Sequence, residues 1–234
     1  MKPVAFVVAA AACCLVSQPG FGEIIAGQVD DFEDGTTMGW IHGSPFSPNR
    51  PTNIADGGPS GNADNFLRNT STGSPSVGGK MVVVIRTRWT GNFAALNVAE
   101  LRVSMANFGA TTLHARLGLQ GPVRVFPLLQ TRLVSTGGVL LPADGVWRDI
   151  SFRIDAAGFT ADQGIDSVAD VLTAVTEMRF LAAAGPAWRG DAVAGTLGID
   201  NVTVVVPEPA CVFAVAVLTL VASRRGLRVR AASA

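Results

Sequence analysis

Residues 23–205 alternate apolar and polar side chains with a period of two, and that alternation restricts the segment to half-buried β-strands. Leu101, Val103 and Met105 are separated by Arg102 and Ser104. Leu113, Ala115, Leu117 and Leu119 are separated by His114, Arg116 and Gly118. The same rhythm recurs in residues 81–86, 149–154, 177–180 and 201–204. Turn chemistry separates these runs, as in Asp56-Gly57-Gly58, Gly78-Gly79, Gly137-Gly138 and Asp144-Gly145. One stretch departs from the pattern: residues 167–173 place Val168, Val171 and Leu172 on one helical face. Many short strands, frequent turns and one short helix predict an all-β fold, a two-sheet antiparallel β-sandwich of the jelly-roll kind.

Apolar segments flank this region. Met1-Lys2 precedes an apolar run over residues 4–16, Pro19-Gly20 breaks it, and Gly20 and Gly22 stand just before Glu23. A short apolar core with small residues at its end is the layout of a secretory signal peptide, here residues 1–22. Its removal takes Cys13 and Cys14 with it, so the sandwich over 23–205 is expected to fold without disulfides. At the other end, Val206-Pro207-Glu208-Pro209 is followed by an apolar run over 210–222 and then Arg224 and Arg225. The prolines stop the preceding strand because they lack an N–H donor, and an arginine cluster after an apolar helix prefers the cytoplasmic side.

That order over residues 206–230 resembles the PEP-CTERM sorting signal of Gram-negative and related bacteria. The resemblance implies export, retention at the membrane through the C-terminal hydrophobic helix, and processing near Val206, Pro207, Glu208 and Pro209 by an exosortase. It also implies hosts that often make exopolysaccharide. The thirteen residues of that run reach about 20 Å as a helix, less than the roughly 30 Å hydrocarbon core. From Glu23 to Glu208 the charge is thirteen basic against eighteen acidic residues. An acidic middle excludes nucleic acid as a partner, because phosphate neutralisation needs a basic face.

The middle region has a resemblance of its own. The opening Asp30-Asp31-Phe32-Glu33-Asp34-Gly35 with Gly39-Trp40, then Asp64-Asn65-Phe66-Leu67, Trp89-Thr90-Gly91, the strand beginning at Trp147, and Ile199-Asp200-Asn201-Val202 are similar in order to exported domains of the carbohydrate-binding-module type. The resemblance implies a jelly roll, frequently with a structural calcium near the two chain ends, and a sugar site that varies from member to member.

The residues themselves nominate few sites. Asp200 shares the alternation of Val202 and Val204, so its carboxylate is expected to point inward, where it must find a cation or a proton. If the first and last strands pair, Asp31 and Glu33 lie beside it and hard oxygens gather for Ca²⁺; an arginine salt bridge or a capped turn is the alternative. Of the four tryptophans, Trp40 and Trp89 read as core, Trp188 sits in a Gly/Pro-bounded loop, and Trp147 falls with Asp149 and Arg153 on a polar face. Trp147, Asp149 and Arg153 are therefore the expected glycan-binding residues, unless a loop covers Trp147. Neither a Gly-x-Ser-x-Gly elbow nor a His-Glu-x-x-His pair occurs. Glu100 and Glu177 could serve a glycosidase only if they converged. The expectation is a non-catalytic cell-surface or extracellular-matrix protein, with a glycan-binding module as the alternative and a polysaccharide hydrolase or lyase as the third reading.

Overall fold

A computed structural model describes residues 23–124 and 129–207. The signal segment, the membrane-directed tail and Glu208, Pro209, Arg224 and Arg225 lie outside the described residues. In chain order the elements are β1 (Val29–Asp30), β2 (Ile41–His42), β3 (Thr52–Ile54), β4 (Phe66–Thr72), β5 (Val82–Ile85), β6 (Glu100–Asn107) and β7 (Leu113–Val123). They continue with β8 (Gln130–Ser135), β9 (Val139–Leu141), β10 (Arg148–Arg153), β11 (Phe159–Gln163), α1 (Val168–Leu172), β12 (Glu177–Ala182) and β13 (Ala194–Val205). One sheet of six strands runs β10-β6-β13-β4-β3 with β1 beside β13; the other, of seven, runs β11-β8-β7-β12-β5-β2 with β9 beside β7. Every pairing between these strands is antiparallel.

The alternation explains the layering. Leu101, Val103 and Met105 of β6 and Ile199, Val202 and Val204 of β13 face Leu113, Leu117 and Leu119 of β7 and Met178 and Phe180 of β12 in one core. Each such side chain contributes about 1.5–3 kcal/mol when fully buried. Trp40 stacks on Phe180 with ring centroids 5.4 Å apart, closing one end of that core. The predicted helix is present: Ser167 caps it by accepting from the Asp170 N–H, Asp170 returns the bond, and Val171 and Leu172 are buried.

Two features modify a plain two-layer reading. First, β5 is buried on both faces: Val83 and Ile85 enter the core, while Val82 and Val84 join Leu181 and Ala183 in a small cluster on the outside of the seven-stranded sheet. That sheet therefore has covered outer surface. Second, β13 carries a register shift between Asp200 and Thr203, with Asn201 at φ 51°. This β-bulge lets Ile199 and Val202 both face the core. Asp200, paired with Ser104, is thereby turned to the outer side. The expected inward carboxylate is corrected on this point, since the bulge resets the period of two. Asp200 is nevertheless only 1% exposed.

Candidate functional site

On the outside of the seven-stranded sheet, register lines up polar side chains from successive strands. Glu177 of β12 is opposite Gln120 of β7, Gln120 is opposite Arg132 of β8, and Arg132 is opposite Gln163 of β11. Arg86, just beyond β5, extends the row by donating from Nε to Glu177 Oε2 at 2.7 Å. Arg132 donates to Gln120 Oε1 at 3.3 Å and to Gln163 Oε1 at 3.2 Å. Arg86, Glu177, Gln120 and Arg132 of this row line a cleft of about 430 Å³ that also takes in Gln130, Arg179 and Trp188.

The second row, one residue pair along, supports the first. Gly118 lies opposite Arg179, and a Cβ on Gly118 would stand 2.8 Å from Arg179 Cγ and 2.9 Å from Trp188 Cζ3. The missing side chain lets the Trp188 indole and the Arg179 stem lie flat over β7. Arg179 stacks its guanidinium carbon 3.6 Å from the Trp188 ring centroid, an arrangement that favours the cation. It also donates from Nε to Glu177 Oε1 at 2.8 Å, again from Nη2 to the same oxygen, and from Nη1 to the Trp188 carbonyl at 3.1 Å. Burial pulls the Arg179 pKa below the usual arginine value, and Glu177 opposes that shift. The loop bearing Trp188 is held from its start. Arg116 donates to the carbonyls of Ala183 and Ala184, and on its other side to Ser135 and Thr136. Glu177 is thus no solvated surface charge; it is 2% exposed between two arginines.

The six-stranded sheet's outer face holds the residues expected for glycan binding, in a different arrangement. Trp147 precedes β10 and is half-buried. Its ring packs edge-on against Phe66 at 5.3 Å and Phe108 at 5.7 Å, over Gly198, and its Nε1 donates to the Gly57 carbonyl at 2.9 Å. The 57–58 turn therefore engages Trp147, as the loop-covered alternative required. Asp149 accepts from Ser104 Oγ at 2.7 Å, and Arg153 pairs with Asp155. A shallow hollow of about 510 Å³ lies along Ser104, Asp149, Ser151, Asn201 and Thr203, and no aromatic side chain lines it.

Near the chain ends two carboxylates are buried. Strand β1 pairs with β13, Asp30 opposite Val202, so first and last strands do meet. Asp30 is fully enclosed; its Oδ2 accepts from the indoles of Trp40 at 2.8 Å and Trp89 at 2.7 Å, and Arg88 Nη2 lies 2.9 Å from Oδ1. Burial raises its pKa, while the indoles and Arg88 pull it back. Trp40 and Trp89 are core residues, as expected, and their N–H groups explain why this carboxylate tolerates the interior. Asp200 is less well served. Among the described residues its oxygens accept only from Asn201, from the backbone at 2.7 Å and the amide at 3.0 Å. Burial pushes its pKa up to about 7, and Asp64, Glu33 and Asp31 add to the shift. The charge here favours a cation. Around it Glu33 accepts from the Asn65 N–H, Asp64 from the Ser60 N–H, and Asp31 from the Glu33 N–H. Among the described residues no group of three or more His, Cys, Asp or Glu side chains is arranged to hold a metal ion.

Sequence reasoning missed Arg86, Gln120, Arg132, Arg179 and Trp188 as a group because each reads singly as a polar residue on an alternating strand or in a loop. The signals that point to them are Gly118 at an outward position and the outward valines of β5. Both say that something lies on this face.

Comparison with solved structures fits the architecture. The chain aligns with a family 11 carbohydrate-binding module from Clostridium thermocellum in complex with a β-1,3-1,4-mixed-linked tetrasaccharide, at TM-score 0.51 and 11% identity, over 78% of this chain and 97% of that one. The fold is shared with carbohydrate-binding modules. An exo-β-agarase matches at TM-score 0.53 and 10% identity over 79% of this chain, which spans 25% of the agarase. A Clostridium thermocellum xylanase 10B structure joining a CBM22-1 and a GH10 module, complexed with xylohexaose, matches at TM-score 0.50 and 14% identity, over 77% of this chain and 28% of that one. No protein-family model matches the sequence, and no curated protein matches it.

Proposed function

We propose that this protein is an exported, non-catalytic carbohydrate-binding module whose ligand lies across the outside of the seven-stranded sheet. The observation that carries the reading is the transverse row Arg86–Glu177–Gln120–Arg132, fixed side chains from successive elements lining one cleft on this fold, with Gln163 holding the outer end of the row by accepting from Arg132. Sugar hydroxyls are both donors and acceptors, and an alternation of guanidinium, carboxylate and amide groups offers partners for both. Catalysis is disfavoured by placement. Glu100 stands on β6 and Glu177 on β12, each on the outer side of a different sheet, so the sandwich separates them. A glycosidase pair must flank one bond at about 5–10 Å.

Export and sorting belong to the same proposal. Residues 1–22 direct secretion, and residues 206–230 hand the protein to an exosortase that trims it near Pro207, leaving the sandwich at the surface or in the matrix. Among the described residues no helix is long and apolar enough to cross a membrane. Terminal peptides from the surface fraction test this, and intact Met1 together with Ala234 would overturn it. A structural Ca²⁺ at Asp200 with Asp31 and Glu33 is likewise proposed, on the strength of the clustered negative charge.

Native affinity electrophoresis tests binding directly. The full chain, in mild detergent, runs through gels containing a neutral mixed-linked β-glucan, an agarose-type galactan or an acidic polysaccharide. Retardation by at least one, lost in a Gln120→Ala/Gln163→Ala double variant that melts like wild type, is the expected result. Free migration through every gel removes the reading.

A further inference from the structure

We infer that the cleft on the seven-stranded sheet selects a carboxylated polysaccharide, reading its charge with Arg86 and Arg132 rather than stacking its rings on Trp188. The inference rests on the glycan-binding reading of this site and adds the class of ligand.

Three facts lead to it. First, the cleft carries three arginines against one glutamate. The single carboxylate, Glu177, is already engaged by Arg179 from one side and by Arg86 Nε from the other. Cationic capacity is left over, and it faces the cleft. Arg86 has 47% of its side chain exposed, and its η nitrogens make no hydrogen bond among the described residues. Arg132 has Nε and Nη1 on the amide oxygens of Gln120 and Gln163, and among the described residues Nη2 has no partner. A carboxylate approaching either fork meets charge-assisted donors with planar geometry, the arrangement that favours guanidinium over ammonium for such ligands.

Second, the aromatic surface is not free. Trp188 is 3% exposed, with the Arg179 guanidinium against its face and Arg132 5.6 Å from its centroid. A pyranose entering the cleft meets cations and amides first. The usual means of holding a neutral sugar, an open ring platform, is covered here by a positive charge.

Third, the basic character continues along the sheet. A neighbouring cleft of about 400 Å³ shares Arg179 and adds Lys80 and Arg189, and no acidic side chain lines it. Lys80 donates to the Gly190 carbonyl at 2.8 Å, so its charge is fixed at the rim. Two adjoining clefts with one joint arginine suit a repeating anionic chain better than a single charged sugar. The protein is acidic over its middle region, so this concentration of positive charge on one face is local.

The test compares one backbone with and without its charge. The full chain, in mild detergent, is titrated with polygalacturonate, with fully methyl-esterified polygalacturonate, with dextran sulfate and with mixed-linked β-glucan. We expect polygalacturonate to bind at least tenfold more tightly than its ester, with affinity falling as NaCl rises, and more tightly than dextran sulfate. Arg132→Gln, which leaves the Glu177 ion pairs untouched, should lose about tenfold toward polygalacturonate while melting like wild type. Arg86→Gln should do the same and leaves Arg179 on Glu177. Equal affinity for acid and ester overturns the inference while the glycan reading stands. Preference for the sulfated chain also overturns it, in favour of a less directional charge match. Acid selectivity unchanged in both variants removes this cleft as its source. Binding to none of the four removes the glycan reading as well.

Discussion

The two outer faces of this sandwich are built from the same alternation and end in opposite states. On the seven-stranded sheet the outward residues are locked together: Glu177 between Arg86 and Arg179, Trp188 under Arg179, Arg116 on four carbonyls. On the six-stranded sheet Asp200 is buried, but the remaining outward charges form local surface pairs, Glu100 with Arg102 and Ser151, Arg153 with Asp155. An outward polar residue is cheap to place where water covers it and costly where other side chains do. A face that carries buried, interlocked charges has had its side chains ordered in advance, and order in advance lowers the entropic cost of binding.

The comparison breaks first at its glutamates. Glu177→Gln leaves Arg179 buried without its counter-ion, a loss of about 3–5 kcal/mol and a melting point lower by roughly 10 °C. Glu100→Gln, on the other face, removes a partner from an arginine that is 61% exposed and should cost no more than about 1 kcal/mol. Thermal unfolding of the two variants side by side checks this. Equal losses would mean that the Glu177 network is not buried in solution.

Asp200 supplies the next largest effect, as a pH dependence. Its folded pKa of about 7 lies above the ordinary 3.8, so the folded state holds a proton that the unfolded chain has released between those values. Stability from this group is complete below about pH 4, declines as pH rises to about 7, and is flat beyond; the full span is about 4 kcal/mol at most. Asp200→Asn should remove most of that slope and raise the melting point at pH 8. The remainder belongs to Asp30, whose pKa is also raised by burial. Saturating calcium at pH 8 should stabilise wild type and not Asp200→Asn if the ion binds there. No calcium effect with the pH slope intact would assign the site to a proton alone.

The two outward glycines give a finer contrast. A Cβ at Gly118 meets Arg179 and Trp188, both buried and pinned; a Cβ at Gly198 meets Phe108 and Trp147, which are packed on each other, with Trp147 bonded to the Gly57 carbonyl. Each substitution to alanine should therefore cost about 1–3 kcal/mol, but only Gly118→Ala should weaken polysaccharide retention, while Gly198→Ala leaves it alone. Calorimetry with affinity electrophoresis on both variants decides it. A binding loss in Gly198→Ala instead would move the site to the six-stranded face.

Much of this architecture was legible in the sequence, and the limits have physical causes. The period of two gave β5, β6, β7, β10, β12 and β13, and the shared face of Val168, Val171 and Leu172 gave α1, because each depends on neighbours a few positions away. The bulge at Asn201 was not legible. One residue with positive φ turns Asp200 to the other side, and no local pattern announces it. The cleft was harder still. Arg86 and Glu177 lie far in the chain from Gln120 and Arg132, and only register brings the four into one row. At Trp147 alternation reports which way the side chain points, not what it touches, and the bond from its Nε1 to the Gly57 carbonyl has no signature in the strand pattern.

The smallest expected effect separates the two faces most cleanly. Arg153 and Asp149 stand on the polar face that alternation assigns to Trp147, and both are exposed. Arg153 is paired only with a neighbouring exposed aspartate, and Asp149 with Ser104, so their loss disturbs no buried charge. Arg153→Ala combined with Asp149→Ala should leave the melting point within a degree or two of wild type, since exposed pairs contribute little. Its polysaccharide retention should equal wild type, because the cleft with Arg86 and Arg132 lies on the opposite outer surface. Reduced retention at unchanged stability is the result that counts against us. It would show that ligand lies along the shallow hollow of the six-stranded sheet, with Trp147 released from the Gly57 turn to meet it. A null result here, beside a tenfold loss in Arg132→Gln, assigns binding to the interlocked face.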